Sequence, residues 1–172
     1  MIKVRNYKKI IGFTLLEILL YAAIVGVVLV MISSFIIDII NAKTKNDASL
    51  EVQNNANLAM ERIIQTSRNA TNILQPSLDN SGILNLDLGN GQTVTFFLQQ
   101  KRLYIQENPP TSVAYPLTSS KVEVNSLIFK NLSPTPNNQI LQISLEIQHK
   151  GIGQQYQSVI TLQDSAQLRN KQ

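Results

Sequence analysis

The chain has no cysteine and only one histidine among its 172 residues, which removes several chemistries at once. A disulfide framework and a thiol nucleophile are excluded. A zinc site of the usual Cys/His kind or a Ser-His-Asp triad would have to be built around His149 alone, and the spacing supplies it with no partners. Proline is absent until Pro76, so no proline interrupts a helix before that point; Gly26 is the only internal weak point in the apolar span. Charged residues are sparse at 15%, against 44% hydrophobic. The length allows one modest domain plus an accessory segment. The apolar residues crowd the start of the chain, which argues against a uniformly soluble cytosolic protein.

The formal charge of +4 is a property of one end. Lys3, Arg5, Lys8 and Lys9 fall within the first twelve residues with no acid among them. The remaining eleven basic residues are balanced by eleven acidic ones, so direct nucleic-acid binding by the rest of the chain is not expected. The Lys101-Arg102 pair reads as the solvated edge of a hairpin.

From Ile18 to Ile37 the only polar side chains are those of Tyr21, Ser33 and Ser34. As a helix this stretch spans about 30 Å, the thickness of a bilayer's hydrocarbon core. It is apolar on all sides, which disfavours a core helix in so small a protein. A transmembrane helix over 13–37 is therefore expected. Four cations precede it, while Asp38, Lys43, Lys45 and Asp47 cancel after it, so the amino terminus stays cytoplasmic in a single-pass protein of the cytoplasmic membrane. The remainder is then exported. A secretory signal would have a shorter apolar region and a small-residue cleavage site; here the apolar run passes directly into charged, helix-forming sequence. Glu17 sits at the edge of the run, where an acid calls for a reason.

The stretch Lys8-Lys9-Ile10-Ile11-Gly12-Phe13-Thr14-Leu15-Leu16-Glu17 resembles the class III signal of type IV prepilins and pseudopilins: a basic leader ending in glycine, then phenylalanine, with glutamate four residues on. The resemblance implies that a membrane prepilin peptidase removes a basic leader, 1–12, by cutting between Gly12 and Phe13 on the cytoplasmic side, and methylates the new amino group of Phe13. Glycine suits that cut, because a backbone without a side chain can lie extended in a protease cleft. Glu17 then has two candidate partners. One is its own Phe13 amine, a turn away in a first helical turn where an acid is favoured. The other, implied by the resemblance, is the amine of a neighbouring subunit during filament assembly, where two groups costly to bury in lipid become complementary.

Residues 38–75 read as an amphipathic stalk helix continuing the span. Ala48, Val52, Ala56, Ala59, Ile63 and Ala70 recur at spacings of three, four and seven, and the face through Ala56, Met60 and Ile63 should dock on a sheet. Asn54, Asn55, Asn57, Asn69 and Asn72 lower helix propensity, so packing must hold this stretch. Glu61 and Arg62 are adjacent, do not face one another, and are given no catalytic role. Over 76–165 the period changes to two: Leu84, Leu86 and Leu88 alternate with polar residues, a turn follows at Gly89-Asn90-Gly91, and further strands run through Thr93–Leu98, Arg102–Gln106, Leu127–Phe129, Leu141–Ile147 and Tyr156–Leu162. An antiparallel meander with one face on the helix is expected, followed by a flexible tail at 166–172.

Long helix then antiparallel sheet is the order of the α+β pilin fold. The stretch from Ala59-Met60-Glu61-Arg62 through Arg68-Asn69-Ala70, followed by many strands and no cysteine pair, is most similar to J-type pseudopilins and W-type minor pilins. Many pilins carry a proline in the membrane half, and this chain does not. The resemblance implies a minor pilin or pseudopilin, a structural subunit of a type IV pilus or type II secretion pseudopilus. Its partners are prepilin peptidase, other pilins through their helices, the inner-membrane assembly platform and the lipid bilayer; it needs no cofactor and no metal, and its destination is an extracytoplasmic filament. Two alternatives are a membrane-anchored binding protein or adhesin, using the loops around Asn108 to Tyr115, and an anchored enzyme. The second lacks a cluster, since Asp79, Asp87, Glu107, Glu123, Glu146 and Asp164 show no catalytic spacing. Asp79-Asn80-Ser81-Gly82 could hold calcium, as Asp-rich loops do in some pseudopilins, but reads more simply as a turn.

Overall fold

The computed structural model describes residues 12, 14–77, 80–89, 91–133 and 138–168. Lys3, Arg5, Lys8, Lys9, Phe13 and Asp79 lie outside the described residues. The chain divides into two units, residues 1–41 and 42–172.

A single α-helix, α1, runs over Leu15–Asn69 and contributes to both units. In the first unit every side chain from Ile18 to Ile40 is exposed. The hydroxyls of Ser33 and Ser34 donate back to the carbonyls of Leu29 (2.8 Å) and Val30 (3.2 Å), so neither presents an unsatisfied donor in the apolar run. In the second unit α1 becomes one-sided. Ala48, Val52, Ala56, Ala59, Met60, Ile63 and Ile64 are buried, and their spacing lays them along one stripe.

The helix stops earlier than the expected boundary at 75. After Ala70, the backbone N–H and the hydroxyl of Thr71 both donate to the Asp87 carbonyl, at 2.7 and 2.9 Å. This starts a strand, β1 (Asn72–Gln75), paired antiparallel with β3 (Ile83–Gly89). The β-branched Thr71 and Ile73 favour extended structure, and sheet pairing outweighs the last turn of helix. The strands that follow are β2 (Asn80–Ser81), β4 (Gln92–Gln99), β5 (Arg102–Glu107), β6 (Tyr115–Pro116), β7 (Val122–Asn131), β8 (Ile140–His149) and β9 (Val159–Gln167).

These strands form two antiparallel sheets where one meander was expected. The first has the order β1-β3-β4-β5-β6 and the second β2-β7-β8-β9. Alternation sets which face is buried. Leu84 and Leu86 pair with Phe96 and Val94, and Phe96 with Ile105; Val124, Leu127 and Phe129 pair with Ile147, Leu145 and Ile143. All of these are buried with the α1 stripe in one core. The fold is thus α+β, a long amino-terminal helix packed against antiparallel sheets, consistent with a pilin-like fold. A register shift between Val124 and Ser126 moves the inward phase by one residue. Polar side chains tie the sheets together: Gln139 Oε1 accepts from Ile73 N–H (2.8 Å), and Asn131 Nδ2 donates to the Pro76 and Ser77 carbonyls (3.1 and 2.9 Å).

Two other expectations need correction. Tyr156 belongs to a short 3-10 turn, Gln154–Tyr156, and the last strand begins at Val159. That strand continues to Gln167, Ala166 and Leu168 are buried, and Leu168 N–H donates to Gln139 O at 3.0 Å. Packed structure therefore extends past the expected start of the tail at 166.

Candidate functional site

Of the residues singled out in the amino-terminal motif, Gly12, Thr14 and Glu17 are described, at the start of α1. Thr14 caps the helix: its carbonyl accepts from Glu17 N–H at 3.0 Å and Ile18 N–H at 3.2 Å, and its Oγ1 accepts from Glu17 N–H at 3.3 Å. Thr14 and Glu17 thus have the spacing of a capping box, with threonine on the backbone of the residue three ahead. The Glu17 carboxylate has a partner that sequence reasoning missed. Tyr21 Oη donates to Glu17 Oε1 at 3.1 Å, and the signal was available, since four residues is one turn. Glu17 is half-exposed. Its carboxylate is steadied within its own helix while it stays open to a further cation, and it lies in the turn where the helix dipole favours negative charge.

Gly12 is exposed, and a Cβ added there would meet no described atom within 4 Å. The described fold places no steric demand for glycine at this position. Beyond Glu17, α1 carries an apolar stretch long enough to cross a membrane, with none of it buried. That is compatible with a single-pass membrane protein.

A second polar constellation joins α1 to the segment before β7, and sequence spacing did not show it. Glu51 Oε1 accepts from Ser119 Oγ at 2.9 Å and from Asn55 Nδ2 at 3.1 Å, and Lys121 Nζ lies 3.7 Å from Glu51 Oε2. The Ser119 hydrogen bond first, then those of Asn55 and the Lys121 charge, hold the Glu51 carboxyl below its ordinary value. Asn55 Oδ1 accepts in turn from Ser119 N–H at 2.8 Å. Asparagine, a poor helix former, is retained here as a bridge between α1 and the segment before β7. The arrangement is a clamp between the helix and the segment before β7.

The adjacent Glu61 and Arg62 turn to different partners, Glu61 to Gln65 Nε2 (3.0 Å) and Arg62 to Glu107 (3.7 Å). Of the basic pair, Lys101 is solvated and reaches Glu123 at 3.1 Å, which holds the Glu123 carboxyl below its ordinary value, the Lys101 hydrogen bond first. Arg102 departs from the expected solvated edge: it is half-buried, donates from Nη2 to Thr118 O at 2.8 Å and lies 6.0 Å from the Tyr104 ring centre. Asn80 and Ser81, expected in a turn, instead pair with Lys130 and Phe129 of β7. Among the described residues, no three His, Asp or Glu side chains stand together as a metal site. No protein-family model, curated protein or solved structure matches the chain, so the functional argument rests on residues and geometry.

Proposed function

We propose that the chain is a minor pilin or pseudopilin, a structural subunit of a type IV pilus or type II secretion pseudopilus. On this proposal it is processed by prepilin peptidase between Gly12 and Phe13, methylated at Phe13, held in the cytoplasmic membrane by 13–37, and assembled through its amino-terminal helix. The observation that carries the proposal is the placement of Glu17. It is an acid in the capped first turn of a helix whose next twenty-three residues are wholly exposed and overwhelmingly apolar. A charge there is costly in lipid, and Tyr21 offsets that cost only in part. Docking of a like helix with a free amine completes the pairing. Gly12 adds support, since no described neighbour requires glycine there, and a peptidase cleft would.

Intact-mass spectrometry of the chain expressed with an active prepilin peptidase tests the proposal. The expected species has lost residues 1–12 and gained one methyl group. Retention of Met1 to Gly12 in the membrane-inserted protein overturns it.

A further inference from the structure

We infer that the open edge of β9 is a docking site for an extended polypeptide segment of another protein, which adds a strand to the second sheet and brings a lysine or arginine to Asp164. The inference concerns residues 42–172 alone and stands whether or not the proposed function holds.

The edges of the two sheets are unequal. Among the described residues the edge strands are β1 with four residues, β6 and β2 with two each, and β9 with nine. Brevity protects an edge against pairing with other chains, and β6 adds a proline. β9 has neither proline nor lysine, and its register with β8 runs from Val159 to Gln167 without a bulge. This edge alone is long and regular enough to accept a further strand.

Parity decides which backbone groups the edge offers. His149 N–H donates to Ser158 O at 3.0 Å and Leu168 N–H to Gln139 O at 3.0 Å, so the even-numbered residues turn their backbones to β8. The odd-numbered ones, Val159, Thr161, Gln163, Ser165 and Gln167, turn theirs to the open side. Ser165 agrees with this phase, because its N–H donates to Asp164 Oδ1 at 2.7 Å instead of to β8. For Val159, Thr161 and Gln163, no described group accepts from the N–H. Donor and acceptor recur there every second residue, about 6.8 Å apart. An extended main chain matches that spacing, and a helix or a small ligand does not.

Side chains set what the added strand carries. Ile160 and Leu162 pack against the core, and Asp164 has the same phase. On this side β9 and α1 share a groove of about 480 Å³, with Met60, Ile64 and Leu162 as its apolar lining and Glu61, Arg68 and Asp164 as its charges. Two carboxylates to one guanidinium leave the groove an excess of negative charge. An added strand sends alternate side chains into it, aliphatic ones over the apolar lining and a cation to Asp164. An acid of inward phase guards an edge, because covering it unpaired is costly; the same acid selects the strand that neutralises it. A second copy of β9 brings no cation, since Asp164 is its sole charged residue. The occupant is therefore a segment of a different chain.

Fluorescence anisotropy of labelled peptides with the full chain in detergent tests the site. The probe is a peptide as long as β9 that alternates threonine with valine and has lysine in place of the central valine. A second peptide has glutamate instead of the lysine, and a third keeps the lysine but is N-methylated along its backbone. The unmodified lysine peptide should bind about tenfold tighter than either. Gln163→Pro removes an N–H of the open side only, and should weaken that binding about tenfold while the circular dichroism of the sheets is retained. Asp164→Lys should reverse the order of the lysine and glutamate peptides, and it decides the question if the proline variant does not fold. Equal binding of the N-methylated peptide, an unchanged order in Asp164→Lys, or no saturable binding of any peptide overturns strand addition at β9. A solubilised chain that is dimeric, and monomeric as Gln163→Pro, overturns the foreign strand in favour of self-pairing.

Discussion

The two parts of α1 share a helix and have opposite relations to their surroundings. From Ile18 to Ile40 the side chains are overwhelmingly apolar and every one is exposed; from Ala48 to Ser67 they are mixed, and a stripe is buried against two sheets. Composition alone would assign the core to the wrong half. The difference shows that apolar content measures what a segment needs from its environment, while periodicity shows where that environment comes from. A run apolar all round asks for a solvent; a stripe asks for a partner within the chain.

The comparison breaks most sharply under truncation. Phe129→Ala, at a fully buried position paired with Ile143 in the second sheet, should cost about 3–5 kcal/mol. Domains of this size have about 5–15 kcal/mol in total, so a large fraction of the stability goes with one side chain. Leu29→Ala, 58% exposed within the apolar run, also truncates a large apolar side chain and should leave the domain's stability within about 0.5 kcal/mol. Urea titration of the detergent-solubilised chain, followed by the circular dichroism of the sheets, measures both. A comparable loss from both variants would mean that the first unit takes part in the domain's cooperative unfolding.

How far the sequence disclosed this arrangement depended on the range of the forces involved. The α1 stripe was legible because Ala48, Val52, Ala56 and Ile63 repeat on a helical period, and β8 was legible because Leu141, Ile143, Leu145 and Ile147 alternate without a break. Both patterns are local. The split into two sheets was not legible, because strands of the same period give no sign of which will pair. The two-residue β2 crosses to β7 while its neighbours β1 and β3 pair with each other. The shift near Asn125 interrupts the alternation in β7, leaving Leu127–Phe129 as the visible fragment of a ten-residue strand. The Glu51, Asn55 and Ser119 clamp depends on contacts more than sixty residues apart, and no spacing rule reaches that far. At the amino terminus, Gly12, Phe13 and Glu17 were legible as a motif, whereas the Tyr21 partner was readable from spacing and was missed.

That clamp sharpens the comparison at an intermediate scale. The folded-state pKa of Glu51 is depressed, with the Ser119 hydrogen bond as the largest cause. The stabilisation is fully present above the unfolded-state value of about 4.3 and is lost as the pH falls through the lower folded-state value. Ser119→Ala should cost about 1 kcal/mol at neutral pH and flatten the acid limb, so that wild type and variant converge once the pH falls below the lowered folded-state value. Urea midpoints across that range decide it; a constant gap between the two proteins would show that Ser119 acts through packing instead of the carboxylate. The same substitution should leave membrane insertion unchanged, because no group of the span takes part in the clamp's hydrogen bonds.

The smallest effect is expected at Arg62 and Glu107. Their side chains are 51% and 62% exposed, and the charged atoms are 3.7 Å apart. In water such a pair gains little Coulomb energy, orders two long side chains and is screened by salt. Glu107→Gln should therefore shift the urea midpoint of the solubilised chain by no more than about 0.5 kcal/mol, and added salt should remove even that. A near-zero value for the isolated subunit shows that the pair is not needed for the fold. On the proposed function, the same variant measured in assembled material then becomes informative. If a neighbouring subunit covers this face, the pair loses its water, and breaking one partner leaves the other charge uncompensated, a loss several-fold larger than in solution. Equal small effects in both states would place Arg62 and Glu107 on a surface that stays wet in the proposed filament.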